Sequence, residues 1–265
     1  MWSSPKNCWA LTHLRHPMTL LLVMLHTGTM FAVIVYFWRQ WRDAYFQSIR
    51  VFKAFAVELL VATAITGVVG ESIAKLVELT VLRDSTQAEI EMLFSRLDFI
   101  APALAASGLL ILLAGIFERR KSMPQSPSAM PDLTMKRASA IGLVQGFCLP
   151  FRGFSRSGAT ISTGMLLGVA KSRAEAFSFA LAVILTPPVV FHEVTRLIQA
   201  EHDHNNPDLT SVAYISLLGA LIAFAAGLLA LKWLSRWLEN GRWYLFGIYC
   251  LVAAVTVRFL HQLGY

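Results

Sequence analysis

Long apolar runs, broken by short polar segments, fill most of the chain. Each is about 20 residues long, enough for an α-helix to cross a hydrocarbon core of ~30 Å. The pattern predicts an all-α polytopic membrane protein with a single integral membrane domain over residues 1–265. The predicted spanning helices cover residues 17–38, 54–73, 99–117, 174–197, 211–233 and 243–262.

Charged residues lie between the apolar runs and alternate in sign from one connection to the next. Because cytoplasmic loops carry an excess of Lys and Arg, we expect the basic connections, including a linker at about 118–137, to face the cytoplasm. The acidic connections, at 75–98 and after residue 197, suit the opposite side. The basic residues are Arg39, Arg42, Arg50, Lys53, Arg119, Arg120, Lys121, Lys136, Arg137, Lys232, Arg236 and Arg242.

This topology requires residues 138–172 to begin and end on the cytoplasmic side. The apolar arms, 138–151 and 159–170, are each only 12 to 14 residues long, too short to span and typical of a re-entrant hairpin. We therefore expect a helix bundle with a re-entrant hairpin whose polar tip, 152–158, lies deep in the membrane. Polar non-helical backbone at that depth is tolerated only inside protein or beside a water-filled cavity, so the tip must line a cavity.

Composition supports the membrane assignment. Of the 265 residues, 56% are hydrophobic and 15% are charged, against roughly 25% charged in soluble domains. The formal charge of +7 reflects basic loops and does not indicate a nucleic-acid partner. Cys8, Cys148 and Cys250 are odd in number and far apart, which indicates neither a disulfide framework nor a zinc site.

Two glycines bracket a polar group at the hairpin tip. Gly153 and Gly158 lie in the run Gly-Phe-Ser-Arg-Ser-Gly-Ala-Thr at 153–160, and a helix is expected to restart near Ala159. Glycine lets the backbone turn tightly and approach a ligand. The N–H groups and dipole at a helix N-terminus favour an anion.

Side-chain donors occupy the same run. Arg156 lies between Ser155 and Ser157, and Thr160 follows one turn later. Arginine offers a fork of donors that matches phosphate oxygens, and the hydroxyl groups add neutral donors. The residues therefore predict a phosphate or pyrophosphate site.

A purely structural role for these residues is the alternative. Arg156 could pair with a carboxylate or with backbone carbonyls, while the serines and glycines allow close helix packing. Anion binding is favoured because an intramembrane arginine is costly and marks a functional site by default.

Three stretches carry a family resemblance. Residues 153–162, 164–168 and 173–179 read GFSRSGATIS, GMLLG and RAEAFSF. From about residue 17 onward the chain resembles the undecaprenyl-pyrophosphate phosphatases, the bacitracin-resistance family of bacterial inner membranes. Supporting matches are His26-Thr-Gly-Thr, Tyr36-Phe-Trp-Arg and Gln145.

The resemblance implies a membrane hydrolase that removes the terminal phosphate of undecaprenyl pyrophosphate, recycles the carrier lipid for peptidoglycan synthesis and confers bacitracin resistance. It also implies a site facing the periplasm, dependence on a divalent cation such as Mg²⁺ or Ca²⁺, and an inverted-repeat architecture. A homodimer is left open. The implied catalytic residues are Arg156, Ser155 and Ser157, and the implied substrate-binding residues are Gly153, Gly158, Thr160, Gln145 and Arg152.

Two departures from the family pattern stand out. The family has a Pro directly before the loop glycine, whereas this chain has Pro150-Phe151-Arg152, so Arg152 is either a second phosphate contact or snorkels to the headgroups. The family's Glu-rich helix and Ser-Ser-Thr-Gly-His loop, which supply catalytic carboxylates, a serine and a histidine, have no counterpart here. Either Met1 is internal to a longer reading frame or this form lacks half the site, and we favour the first.

Two other functions share these features. A lipid-carrier transporter or flippase would also use re-entrant hairpins and a binding arginine. A non-catalytic membrane subunit could bind the same headgroup without turnover. Phosphate release distinguishes the phosphatase from both.

Overall fold

The chain folds into α-helices wherever its structure, a computed structural model, describes it. The described residues are 6–81, 97–120, 133–151, 153–201 and 209–263, and they contain no strand. The all-α class is therefore confirmed. The helices are α1 (Lys6–Tyr45), α2 (Ile49–Val81), α3 (Leu97–Arg120), α4 (Met135–Cys148), α5 (Arg156–Leu166), α6 (Lys171–Glu201), α7 (Leu209–Glu239) and α8 (Trp243–Gln262).

Five stretches in the described residues are long and apolar enough to cross a membrane, which makes this a multi-pass membrane protein. The 31-residue helix α6 is not among them, so the crossing predicted at 174–197 stays a prediction. The five are Leu21–Tyr45, Ile49–Leu76, Ile100–Arg119, Tyr214–Glu239 and Trp243–Gln262.

The helices extend beyond the apolar runs that predicted them. Helix α1 continues to Tyr45, and α2 begins at Ile49, so most of the expected basic turn is helical. Lys and Arg are good helix formers, and charge alone does not end a helix. The linker expected at about 118–137 is likewise shorter than predicted, because α3 ends at Arg120 and α4 begins at Met135. Residues 121–132 lie outside the described part of the chain.

Contacts divide the chain into two compact units, and the predicted single membrane domain stays a prediction. Unit 1 comprises Met1–Arg42 and Ala182–Trp233. Within it, α1 and α7 pack through small residues: Gly28 faces the backbone of Ala220, and a Cβ on Gly227 would lie 2.9 Å from the Ala32 Cβ. Such contacts let membrane helices approach closely.

Unit 2 comprises Asp43–Leu181 and Leu234–Tyr265 and contains the short helices α4 and α5. Helix α4 runs parallel to α2: Gly142 faces the backbone of Ala62, and Gly146 faces that of Thr66, one turn further along both helices. A Cβ on Gly146 would lie only 2.8 Å from the Thr66 carbonyl oxygen. We call this line of contacts the glycine seam.

Helices α4 and α5 form an antiparallel hairpin. Ile141 of α4 lies near Gly164 of α5, while Cys148 at the other end of α4 lies beside Arg156. That these two helices re-enter a bilayer stays a prediction.

Helix α3 runs alongside the hairpin and fixes its polarity. Gly153, in the turn, contacts Ile100 near the start of α3, whereas Gly158 contacts Ile111, three turns later. Lys171, which follows the hairpin, forms an ion pair with Glu118 near the end of α3. We name the end of unit 2 near Ile100 the tip end and the end near Glu118 the basic end.

The glycine seam gives a prediction about stability. Replacing Gly146 with Ala should lower the melting temperature, since the new Cβ meets backbone atoms of α2 and overpacking of this kind costs about 1–3 kcal/mol. Gly67→Ala on α2 is the matched control, because its Cβ meets nothing within 4 Å. Thermal unfolding in detergent, followed by tryptophan fluorescence, measures both. Equal melting temperatures for the two variants would contradict the close packing of α2 on α4.

Candidate phosphate-binding site

A short turn joins α4 to α5. Its backbone is held by the amide of Leu149, which donates to Gln145 O (3.2 Å), and that of Phe154, which donates to Phe151 O (3.2 Å). Aromatic rings pack on one another beside it, with Phe147 centred 5.4 Å from Phe151 and 6.3 Å from Phe154. These contacts fix the path of the chain into α5.

Gly153 is a conformational requirement of the turn. Its φ of +89° lies in the left-handed region, which other L-residues adopt at a cost. A Cβ here would also lie 2.9 Å from Ile100 Cγ2 and 3.1 Å from Ile100 O. The predicted role of Gly153 in letting the backbone turn therefore has a direct structural cause.

Ser155 determines where the second helix begins. It is the N-cap of α5, and its Oγ accepts a hydrogen bond from the Gly158 N–H at 3.2 Å. This arrangement satisfies one of the N–H groups that a helix start leaves unpaired. The helix therefore starts at Arg156 rather than near Ala159 as expected, and residues 156–158 are helical.

Gly158 allows the cap to close. A Cβ at this buried position would lie 2.7 Å from Ser155 Oγ and 2.6 Å from Ile111 Cδ1. A side chain would therefore displace either the cap or helix α3. The structure gives Gly158 a role in packing, and its predicted role in letting the backbone approach a ligand stays a prediction.

The first turn of α5 presents several donors together. The Arg156 and Ser157 side chains are partly buried, and the structure gives neither an ion pair nor a side-chain hydrogen bond to any residue it describes. The backbone N–H groups of a first helical turn have no intrahelical acceptor. With the helix dipole, this end of α5 suits an anion, and no described carboxylate pairs with Arg156.

Thr160 faces the protein rather than the tip. It is fully buried, and its Oγ1 lies 2.9 Å from Arg156 O, 3.2 Å from Ser157 O and 2.6 Å from Ser178 Oγ. A hydroxyl has one hydrogen, so when Thr160 donates to a carbonyl, Ser178 donates to Thr160. Ser178 on α6 thus supports the backbone that carries Arg156.

Gln145 is also buried behind the turn. Its Nε2 lies 3.5 Å from Thr66 Oγ1, and Thr66 lies within 2.9 Å of Gly142 O. Its Oε1 has no hydrogen-bond partner among the described residues. The structure therefore places Gln145 in the α2–α4 contact, and its predicted contact with substrate stays a prediction.

The structure thus brings five predicted residues together at the tip end: Gly153, Ser155, Arg156, Ser157 and Gly158. Thr160 and Gln145 lie behind them, and Arg152 lies outside the described residues.

Sequence reasoning missed the polar contacts that hold α5 in place. Ser178 was part of the family-like stretch 173–179 but had no role. Trp243 Nε1 donates to Ser162 Oγ of α5 at 2.9 Å. A further polar contact, which joins α7 to α6, was missed in the same way: Ser235 Oγ donates to Glu175 Oε1 at 2.6 Å. The only sign of these contacts in the sequence was the presence of polar residues within otherwise apolar helices.

The described residues do not supply a metal site made of protein ligands alone. No three His, Cys, Asp or Glu side chains within them are grouped so that they could hold a metal ion. The divalent cation implied by the resemblance therefore has no described ligand set.

Comparison with known proteins decides the family. The family model BacA, described as bacitracin resistance protein BacA, matches residues 6–256. The chain belongs to the BacA family. The matched span includes the whole α4–α5 hairpin.

Several curated proteins are similar over most of their length. A protein of Acinetobacter baylyi named undecaprenyl-diphosphatase 2 is 52% identical over 243 residues, which are 91% of this chain and 82% of that protein. Another of that name, from Burkholderia orbicola, is 31% identical over 88% of this chain and 78% of its own length. An undecaprenyl-diphosphatase of Korarchaeum cryptofilum is 28% identical over 89% of this BacA-family chain and 82% of its own.

The support that Ser178 gives to α5 can be tested. Ser178→Ala should weaken the binding of inorganic pyrophosphate about fivefold, because losing a hydrogen bond worth ~1 kcal/mol loosens the first turn of α5. Ser162→Ala is the matched control: it removes a buried hydroxyl of α5 that contacts Trp243 instead. Isothermal titration calorimetry in detergent measures both. Equal affinities in the two variants, or a greater loss in Ser162→Ala, would contradict this role.

Proposed function

We propose that this BacA-family protein is an undecaprenyl-diphosphatase. It hydrolyses undecaprenyl pyrophosphate: water supplies one oxygen, the bond between the bridging oxygen and the terminal phosphorus breaks, and the products are undecaprenyl phosphate and inorganic phosphate. The relatives named undecaprenyl-diphosphatase support this reaction. The activity renews the carrier lipid for cell-wall synthesis and accounts for bacitracin resistance.

One observation carries the proposal. Arg156 lies in the first turn of α5, partly buried, with no ion pair or side-chain hydrogen bond to a described residue. An intramembrane arginine without a protein partner is expensive, and an anionic headgroup would offset that cost. We infer that the pyrophosphate binds to the Arg156 guanidinium.

The surrounding groups would act on the same charge. The Ser157 hydroxyl and the N–H groups of Arg156 and Ser157 lie on the same turn. Phosphoryl transfer depends mainly on positioning and on stabilising charge on the phosphoryl oxygens. These donors would therefore hold the terminal phosphate while its bond to the bridging oxygen breaks.

The charge distribution of unit 2 supports an inner-membrane protein whose site faces the periplasm. Basic side chains gather at the end opposite the tip, and such residues are enriched on the cytoplasmic side. The tip end would then open to the periplasm. The basic-end residues are Arg50, Lys53, Arg119, Lys136, Arg137, Lys171, Arg173, Arg236 and Arg242.

Arg156 gives the central test. Arg156→Ala should lower kcat/KM for undecaprenyl pyrophosphate by roughly 10²–10³-fold, the usual effect of removing a donor that stabilises a developing oxyanion. Arg156→Lys should recover part of it, since a point charge remains without the fork of donors. Phosphate release in detergent is the measurement.

Lys75→Ala is the matched control because Lys75 is an exposed cation near the tip end, paired with Glu71. It should keep wild-type kinetics. Undiminished activity in Arg156→Ala would overturn the assignment, and headgroup movement across vesicles without phosphate release would favour a transporter.

A divalent cation is a separate part of the proposal. Removing cations with EDTA should abolish phosphate release, and Mg²⁺ or Ca²⁺ should restore it, because a cation would balance the charge of the pyrophosphate. Inductively coupled plasma mass spectrometry of the purified protein provides a readout independent of turnover. Full activity in EDTA with no bound metal would remove the cation from the proposal.

The homodimer also stays a prediction, testable by light scattering of the detergent complex.

A further inference from the structure

An apolar groove of about 670 Å³ lies between α3 and α8 within unit 2. Ala101, Pro102 and Ala105 line it on α3, and Ala254, Arg258 and Phe259 are among its residues on α8. Its volume falls within the ~300–1,000 Å³ usual for ligand pockets. It is distinct from the turn that carries Arg156.

The groove exists because small side chains replace a close helix contact. Towards the basic end, Gly108 and Gly247 let α3 and α8 touch, so that a Cβ on Gly247 would lie 2.6 Å from Leu112 N. Towards the tip end, the residues of α3 and α8 that line the space between the helices include three alanines: Ala101, Ala105 and Ala254. Alanine keeps the helices apart but leaves the space between them unfilled.

The groove is polar at one end only. Arg258 lies on the last turns of α8, at the tip end of the groove. The opposite wall, on α3, is formed by Ala101, Pro102 and Ala105, which carry no polar side chain. A hydrocarbon floor with a cation at the membrane surface matches an amphiphile with an anionic headgroup. A soluble polar ligand would find few partners there.

The groove and the candidate phosphate site lie at the same end of α3. Ile100, which contacts Gly153 in the turn, directly precedes Ala101 of the groove wall. The lining of α8 from Leu251 to Gln262 extends roughly 16 Å at the helical rise per residue. If the headgroup of a lipid binds at the turn, the first isoprene units of its chain could therefore contact the groove at the same end of α3.

We propose that this groove binds the isoprenoid chain of the lipid pyrophosphate, with Arg258 attracting the headgroup where it approaches the turn. The proposal rests on the proposed function and adds a site for the chain. The occupant is the polyprenyl lipid rather than a bilayer phospholipid because the groove wall on α3 begins at Ala101, next to Ile100, which contacts the turn.

Filling the groove from its rim tests the proposal without disturbing the helix contact. Val255 lines the groove and is 70% exposed, whereas Val252 is 60% exposed on the same helix and does not line it. Val255→Trp should raise the KM for undecaprenyl pyrophosphate about tenfold, the effect of losing contact with about two methylene groups. Its inhibition constant for inorganic pyrophosphate should not change, since that ligand has no chain. Val252→Trp should alter neither constant.

Two kinetic results would overturn the proposal. One is an unchanged KM in Val255→Trp. The other is an equal rise of KM and of the pyrophosphate inhibition constant, which would place the effect at the turn instead of the groove.

Native mass spectrometry separates this proposal from the proposed function, because binding of the product needs no turnover. With undecaprenyl phosphate and phosphatidylglycerol both present, Val255→Trp should lose the polyprenyl adduct and keep the phospholipid adduct. Loss of the phospholipid adduct alone would assign the groove to a bilayer lipid and overturn the proposal. The wild type could fail to release phosphate while Val255→Trp still loses the polyprenyl adduct. That result would count against the proposed function only.

Discussion

The hydrogen bond from the Gly158 N–H to Ser155 Oγ determines how the tip of the hairpin is built. It starts helix α5 at Arg156, so the guanidinium stands on the first helical turn beside unpaired backbone donors. Gly158 must lack a side chain for this bond to form against Ile111. The break between the two short helices thereby becomes a helix start, where backbone N–H groups and the helix dipole would favour negative charge.

Contacts behind the tip hold that arrangement in place. Thr160 and Ser178 hold the backbone of the first turn from one side, and the glycine seam holds α4 against α2 from the other. Buried hydroxyl groups within an apolar interior must find partners, which fixes the rotamers of these side chains. The backbone of the first turn of α5 is therefore held by contacts within the protein, a condition that would favour electrostatic stabilisation at the proposed site.

The helices and the charged tip were predictable because their causes are local. Apolar runs define membrane helices by length, and an arginine between serines in an apolar region is conspicuous. The helix start at Arg156 was not predicted, since Gly158 was taken as a break and the capping role of Ser155 was not considered. The buried positions of Thr160 and Gln145 depend on Ser178, 18 residues away, and Thr66, 79 residues away, and no local pattern reveals such partners.

The glycine seam also bears on how this fold can diversify. Because Gly142 and Gly146 face backbone atoms across the seam, stepwise enlargement of side chains there would separate α2 from α4 before it altered the tip. In the turn, by contrast, the rings of Phe151 and Phe154 pack against that of Phe147, which is a contact between side chains. Changes of side-chain size are therefore expected to accumulate in the turn, while α2 and α4 keep small residues along the seam.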